Sequence, residues 1–227
     1  MLPDFLLAEI IANPDDDASR LIASDWLEQY GQSFMAEFIR VQCDIYRRFG
    51  VPADGSSVVT GDKEADADEV RLRKREQELL AILDRQRHAS VHFGSWEFTD
   101  LNWEWTWRRG FIEDLTLGFD QWLTVHRVVM SCQPVRTLRL TDVPTNAAIW
   151  SKFEQQYKTL RRLKKLELIM ATANAADTYS LVCMAQAILT GVEVHGYAYG
   201  SRYPLDVRWK DSEYELSLDD EYGMVPW

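Results

Sequence analysis

Cysteine is scarce: only Cys43, Cys132 and Cys183 occur, far apart and odd in number. They exclude a disulfide framework and read as buried, reduced thiols of a cytoplasmic protein. No apolar stretch approaches the roughly 20 residues that span a bilayer. Met1-Leu2-Pro3-Asp4 lacks the basic start of a secretory signal. Positive charge is in deficit, with 25 basic against 36 acidic side chains and a net charge of −11. Such a chain lacks the electrostatic footprint of a non-specific nucleic-acid binder, so no direct nucleic-acid binding is expected. The common catalytic and nucleotide-binding signatures are also missing: no P-loop, GxGxxG, GxSxG, HExxH or paired CxxC occurs. Ser90, between His88 and His92, has no strand–turn–helix context. No catalytic residue, cofactor or metal ligand is therefore assigned, and a non-enzyme is expected.

Hydrophobic residues make up 46% of the 227 and charged residues 27%, the balance of a globular protein. The charge is uneven. Residues 1–70 carry 15 acids and 5 bases, residues 71–200 carry 14 and 17, and residues 201–227 carry 7 and 3. Two acidic ends around a mildly basic middle suggest more than one structural unit. We divide the chain into a helical module (1–49), a Gly/Pro/Ser-rich linker (50–65), a connecting helix (66–90) and a repeat region (91–227).

In the helical module, Phe5, Leu6, Ile10 and Ile11 recur at helical spacing over 3–12. Asn13-Pro14-Asp15-Asp16-Asp17 stops that helix and caps the next. As a cation site the triple aspartate lacks the glycine and distal glutamate of an EF-hand loop, and helix capping is expected of it instead. A second helix over 17–30 aligns Leu21, Ile22, Trp26, Leu27 and Tyr30, and Gly31 ends it. A third over 33–49 carries Phe34, Phe38, Ile39, Ile45 and Phe49. Trp26, Leu27, Phe38 and Ile39 are expected to pack together.

Leu6 to Gln42 reads LLAEIIANPDDDASRLIASDWLEQYGQSFMAEFIRVQ. This stretch resembles the bacterial repeat-companion domain, a short helical module of planctomycete-type proteins. The resemblance rests on the NPDDD turn, the Leu21…Asp25-Trp26-Leu27-Glu28 helix, Gly31 and Ala36-Glu37-Phe38-Ile39-Arg40-Val41-Gln42. Ser19 and Ser24 stand where the family often has proline and alanine. The resemblance implies an architecture, a companion module followed by leucine-rich-like repeats, and an association rather than a reaction.

The connecting helix carries Arg71, Arg73, Lys74 and Arg75, but Glu69, Glu76 and Glu78 interleave with them. A helix face of i,i+4 ion pairs is expected rather than a nucleic-acid patch. His88 and His92 lack a third ligand and make a poor zinc site.

The second half is periodic. Ile112-x-x-Leu115-x-Leu117, Val135-x-x-Leu138-x-Leu140, Leu163-x-x-Leu166-x-Leu168 and Leu189-x-x-Val192-x-Val194 share one pattern. Their spacing falls in the 20–29 residue range of leucine-rich repeats. Apolar helical segments follow the first three over 119–131, 146–160 and 177–189. The asparagine column of a standard repeat is missing. The expected fold is α/β: a small helical module followed by a short capped leucine-rich-repeat-like solenoid, with parallel strands and convex helices. Trp96, Phe98, Trp103, Trp105 and Trp107 form the N-terminal cap, or alternatively a stacking platform for sugars or bases. Two strands, 205–209 and 214–218, close the other end as a hairpin.

Residues flanking the middle apolar position point away from the leucines. They are Asp114 and Thr116, Thr137 and Arg139, Lys165 and Glu167, and Gly191 and Glu193, two rows on the concave face. The expected function is a non-catalytic protein–protein interaction or scaffold module, a subunit of a larger bacterial complex. Its partner would be another protein gripping that face. The alternative is an acidic inhibitor or regulatory subunit of a nucleic-acid enzyme; a hydrolase with an unrecognised site is a third reading.

Overall fold

The computed structural model describes residues 2–50, 63–85, 103–144, 155–170, 175–198, 205–210 and 213–218. The linker at 51–62, His88, Ser90, His92, Trp96, Phe98 and most of the helix expected over 146–160 lie outside the described residues. The fold is mixed α/β with a mostly parallel sheet. The chain forms two compact units.

The first unit comprises Met1–Thr99, Trp107–Ile112 and Ser131–Pro134. Its helices are α1 (Asp4–Ala12), α2 (Asp17–Gln29), α3 (Ser33–Phe49) and α4 (Lys63–Arg85). The Asp16 side chain caps α2 by accepting from the Ala18 amide at 3.0 Å, and the Ser19 hydroxyl donates to it at 3.0 Å. That backbone hydrogen bond, then the one from Ser19, holds the Asp16 carboxyl below its ordinary pKa. Gly31, at φ +77°, supplies the left-handed residue that ends α2. The core is Leu6, Ile10, Ala23, Leu27, Ala36, Ile39, Cys43 and Phe111.

Trp26, half-buried, packs against the core that holds Leu27 and Ile39, as expected, and stacks on Tyr30. Phe38 departs from the expected cluster: it faces the other way, packing with Leu79 and Leu83 of α4 and edge-on against Trp107. The basic residues of α4 are largely paired, though only Arg73–Glu69 has the expected i,i+4 spacing: Arg71–Asp68, Arg73–Glu76 and Arg75–Glu78 are i,i+3 pairs, and Arg75 also reaches Glu37 of α3.

The second unit comprises Asp100–Thr106, Glu113–Met130 and Val135–Trp227. The seven-stranded sheet runs in sequence order: β1 (Glu104–Arg108), β2 (Phe111–Gly118), β3 (Thr137–Thr141), β4 (Lys165–Met170), β5 (Glu193–Ala198), β6 (Leu205–Lys210) and β7 (Glu213–Leu218). Strands β2 to β5 pair parallel, whereas β6 and β7 close that end antiparallel. Helix α5 (Phe119–Cys132) connects β2 to β3, a helical turn α6 (Tyr157–Leu160) precedes β4, and α7 (Ala175–Ile188) connects β4 to β5. Alternation along the strands buries Leu115, Leu117, Leu138, Leu140, Leu166, Leu168 and Val194, and the helices bury Trp122, Val125, Val129, Leu181, Val182 and Ala185. A backbone staircase ties successive strands: Arg136 donates to the Glu113 carbonyl, Lys164 to Arg136 and Glu193 to Lys164.

The fourth repeat corrects the expected register. Val194 pairs with Leu166, so it stands in the middle column with Leu115 and Leu138. Gly196, not an aliphatic residue, takes the third column opposite Leu168. A Cβ at Gly196 would overlap Val182 Cγ2 and stand 3.1 Å from Thr178 Cγ2, so α7 packs directly on backbone there.

Candidate functional site

Strand pairing brings the residues flanking the leucines into two rows. Asp114, Thr137, Lys165 and Glu193 align across β2 to β5, and Thr116, Arg139, Glu167 and His195 align beside them. Seven of the expected positions, Asp114, Thr116, Thr137, Arg139, Lys165, Glu167 and Glu193, therefore lie on one ladder. Gly191 falls outside β5, Glu193 moves to the first row and His195 takes its place in the second. His195 was missed because the pattern Leu189-x-x-Val192-x-Val194 suggested a register two residues off. The alternation Glu193-Val194-His195-Gly196-Tyr197, 28 residues after Lys165-Leu166-Glu167-Leu168-Ile169, is the signal that locates it.

The ladder is internally wired. Glu167, only 3% exposed, accepts from Arg139 Nε and from Lys165 Nζ at 2.7 Å. Burial pushes the Glu167 carboxyl up, but Arg139 and Lys165 outweigh it and hold the group below its ordinary pKa. Glu167 is thus the buried anion of a cation clasp rather than a solvated member of the row. Next to it, buried His195 contacts the Glu193 carboxylate through Nε2 at 2.6 Å and the Tyr197 hydroxyl through Nδ1 at 3.3 Å. Arg139 and Glu193 remain exposed, opposite in sign and two strands apart. The face offers charge of both signs in fixed register.

A second polar assembly lies within the first unit. Strands β1 and β2 are joined by Arg109-Gly110, both at positive φ (50° and 83°), the pairing a two-residue hairpin turn requires. The helices grip this turn. The Gly110 amide donates to Gln42 Oε1 at 2.6 Å, and Gln42 Nε2 donates to Glu76 and to the Trp107 carbonyl. Arg20, fully buried, donates to the carbonyls of Arg108, Arg109 and Pro14 and lies over the Phe111 ring. Arg109 reaches back to the Asp15 carbonyl and carboxylate and to Asp17, over the Tyr46 ring. The triple aspartate therefore divides its work: Asp16 caps α2, while Asp15 and Asp17 hold Arg109.

Among the described residues, no group of three or more His, Cys, Asp or Glu side chains is placed to share a metal ion. Burial pushes the Cys43 thiol up to about 12 and the Cys132 thiol to about 11, which makes both poor nucleophiles at neutral pH. Trp103 is buried, and Trp105 and Trp107 are half-buried on the alternate positions of β1. No described helix is long and apolar enough to cross a membrane. No family model matches the chain, and no curated protein or solved structure matches it.

Proposed function

We propose that the chain is a non-catalytic interaction module, a repeat-companion-type helical unit joined to a short leucine-rich-repeat-like solenoid, whose ladder face binds another protein. The observation that carries this reading is the registered double row across four consecutive parallel strands. Stacked strands turn single side chains into an extended pattern, which is how repeat proteins present recognition surfaces. The exposed Arg139 and Glu193 suit a partner of complementary mixed charge better than a polyanion. A scaffold role accords with a face whose buried histidine already engages Glu193 and Tyr197 and whose buried glutamate engages Arg139 and Lys165. Three free cysteines, two with raised pKa, support a cytoplasmic location.

The test must respect the clasp. Reversing Arg139 and Lys165 to glutamate would strand buried Glu167 among like charges and destabilise the sheet. R139T/K165T/E167T removes all three charges together and leaves β-compatible residues. In affinity purification from the native host, the variant is expected to lose the partner while its melting temperature stays near that of the parent. Full retention would move the interface off the ladder.

A further inference from the structure

The two units treat their surface cations differently. In the helical unit Arg40, Arg47, Arg48, Arg71, Arg73 and Arg75 each meet a carboxylate. In the sheet unit Arg127, Lys158, Arg161 and Arg162 are exposed, and among the described residues none of the four has an acidic partner. Residues 155–165, QQYKTLRRLKK, contain no acid. Two contacts fix this segment beside α5: Gln156 Oε1 accepts from Trp122 Nε1 at 2.8 Å, and Arg162 donates to the Met130 carbonyl at 3.4 Å. The two anchor residues on α5 are about 12 Å apart, at 1.5 Å per residue. Arg127 stands between them, one turn before Met130 on the same side of the helix. Successive turns run from Gln156 to Leu163, and in them Lys158 precedes Arg161 by three positions and Arg162 by four, so like charges crowd one another. The one acid of α5, Asp120, lies two turns before Arg127.

An occupant that relieves this repulsion is anionic, and a short one fits best. Nucleic acid carries one negative charge per about 1.7 Å of duplex, and its binders neutralise about six to ten phosphates. Here a compact group of cations gives way to a molecule of net charge −11. A stable hold on an anionic membrane takes basic residues together with inserted apolar ones. Among the described residues of the sheet unit, Met184 of α7 is the one large apolar side chain that is exposed. A second copy of the chain offers carboxylates that its own arginines already hold, Asp25, Glu28, Glu37, Asp44 and Asp68 among them. We infer that this surface docks an acidic segment of a partner protein, with aspartates or glutamates set against Arg127, Lys158, Arg161 and Arg162. Charge complementarity of this kind steers encounter and fixes register. The four residues lie outside the ladder rows, so this reading and that of the ladder stand or fall separately.

The full chain tests it with a fluorescein-labelled peptide of alternating glutamate and serine and a matched peptide of glutamine and serine. Anisotropy is expected to show binding of the glutamate peptide only, weakening steeply as salt is raised. K158E/R161E changes two exposed side chains and leaves the Arg162 contact with Met130 in place. It is expected to weaken binding by at least about tenfold, and the milder K158Q/R161Q by at least about threefold. R71E/K74E alters the net charge equally but on α4, and is expected to leave binding within about twofold of the parent. Failure of the glutamate peptide to bind the parent, equal binding of the glutamine peptide, or unchanged binding in K158E/R161E and K158Q/R161Q would overturn the proposal. An equal loss in R71E/K74E would reduce the effect to overall charge and overturn it too. Tighter, K158E/R161E-sensitive binding of a single-stranded RNA oligonucleotide or of phosphatidylglycerol vesicles would assign the surface to nucleic acid or to a membrane. Salt-sensitive self-association that K158E/R161E abolishes would assign it to a second copy; each rejects the proposal.

Discussion

Each of the two units is stabilised internally by its own chemistry. In the sheet unit the interior is a column of aliphatic side chains, and the polar groups sit on the opposite face in register. In the helical unit the decisive interior contacts are polar: Arg20 and Gln42 satisfy the backbone of the Arg109-Gly110 turn. Apolar columns tolerate exchange of one aliphatic residue for another. A buried guanidinium on three carbonyls tolerates almost nothing, because removing it leaves acceptors desolvated and unpaired. The contrast teaches that the sheet unit is specified by periodicity and the helical unit by a few long-range polar contacts.

The sharpest break is at Gly110. A side chain there meets both a φ of +83° and Ile39, whose Cα would lie 3.0 Å from the new Cβ. Gly110→Ala is expected to cost about 3–5 kcal/mol, from left-handed strain plus overpacking, and to melt the helical unit first. In the sheet unit, Leu138→Ala is expected to cost about 3–4 kcal/mol, because Leu138 is fully buried; denaturant midpoints measure both. Trp26→Ala sharpens the comparison within the helices. A half-buried tryptophan is expected to cost about 2 kcal/mol, less than the 3–5 of a buried one. A larger loss would place Trp26 wholly within the core rather than at its edge.

The smallest effect is electrostatic. The Glu167 carboxyl sits below its ordinary pKa, so the folded state binds its proton less readily than the unfolded chain does. Its stabilisation is full above the ordinary carboxylate range and is lost as pH falls through the depressed folded value. An acid titration of stability should therefore be shallower in Glu167→Gln than in the parent over that window. Identical slopes would mean that the clasp with Arg139 and Lys165 does not form in solution.

Much of the fold was legible because its signals are local. Helix limits followed from the apolar spacing and from Asp16 and Gly31, and the first three repeats followed from Leu115/Leu117, Leu138/Leu140 and Leu166/Leu168. The fourth repeat was misregistered because Gly196 carries no side chain to mark a core position, although α7 packs on it. The burial of Glu167 and the arrival of His195 beside it depend on that register. The grip on the Arg109-Gly110 turn was not legible at all. Asp15, Arg20 and Gln42 are about 70 to 95 residues from their partners, and polar residues give no periodic signal of tertiary contact.

The central claim is that residues Trp107–Ile112 fold with the helices although they lead into the sheet. Native-state hydrogen exchange in Leu27→Ala tests it most directly, because Leu27 shares a core with Ile39, Cys43 and Phe111. The account predicts that the Gly110 amide loses protection together with the α3 amides of Ile39 and Cys43, while Leu166 and Leu168 of β4 keep theirs. A Gly110 amide that stays protected with β4 while α3 opens would contradict it.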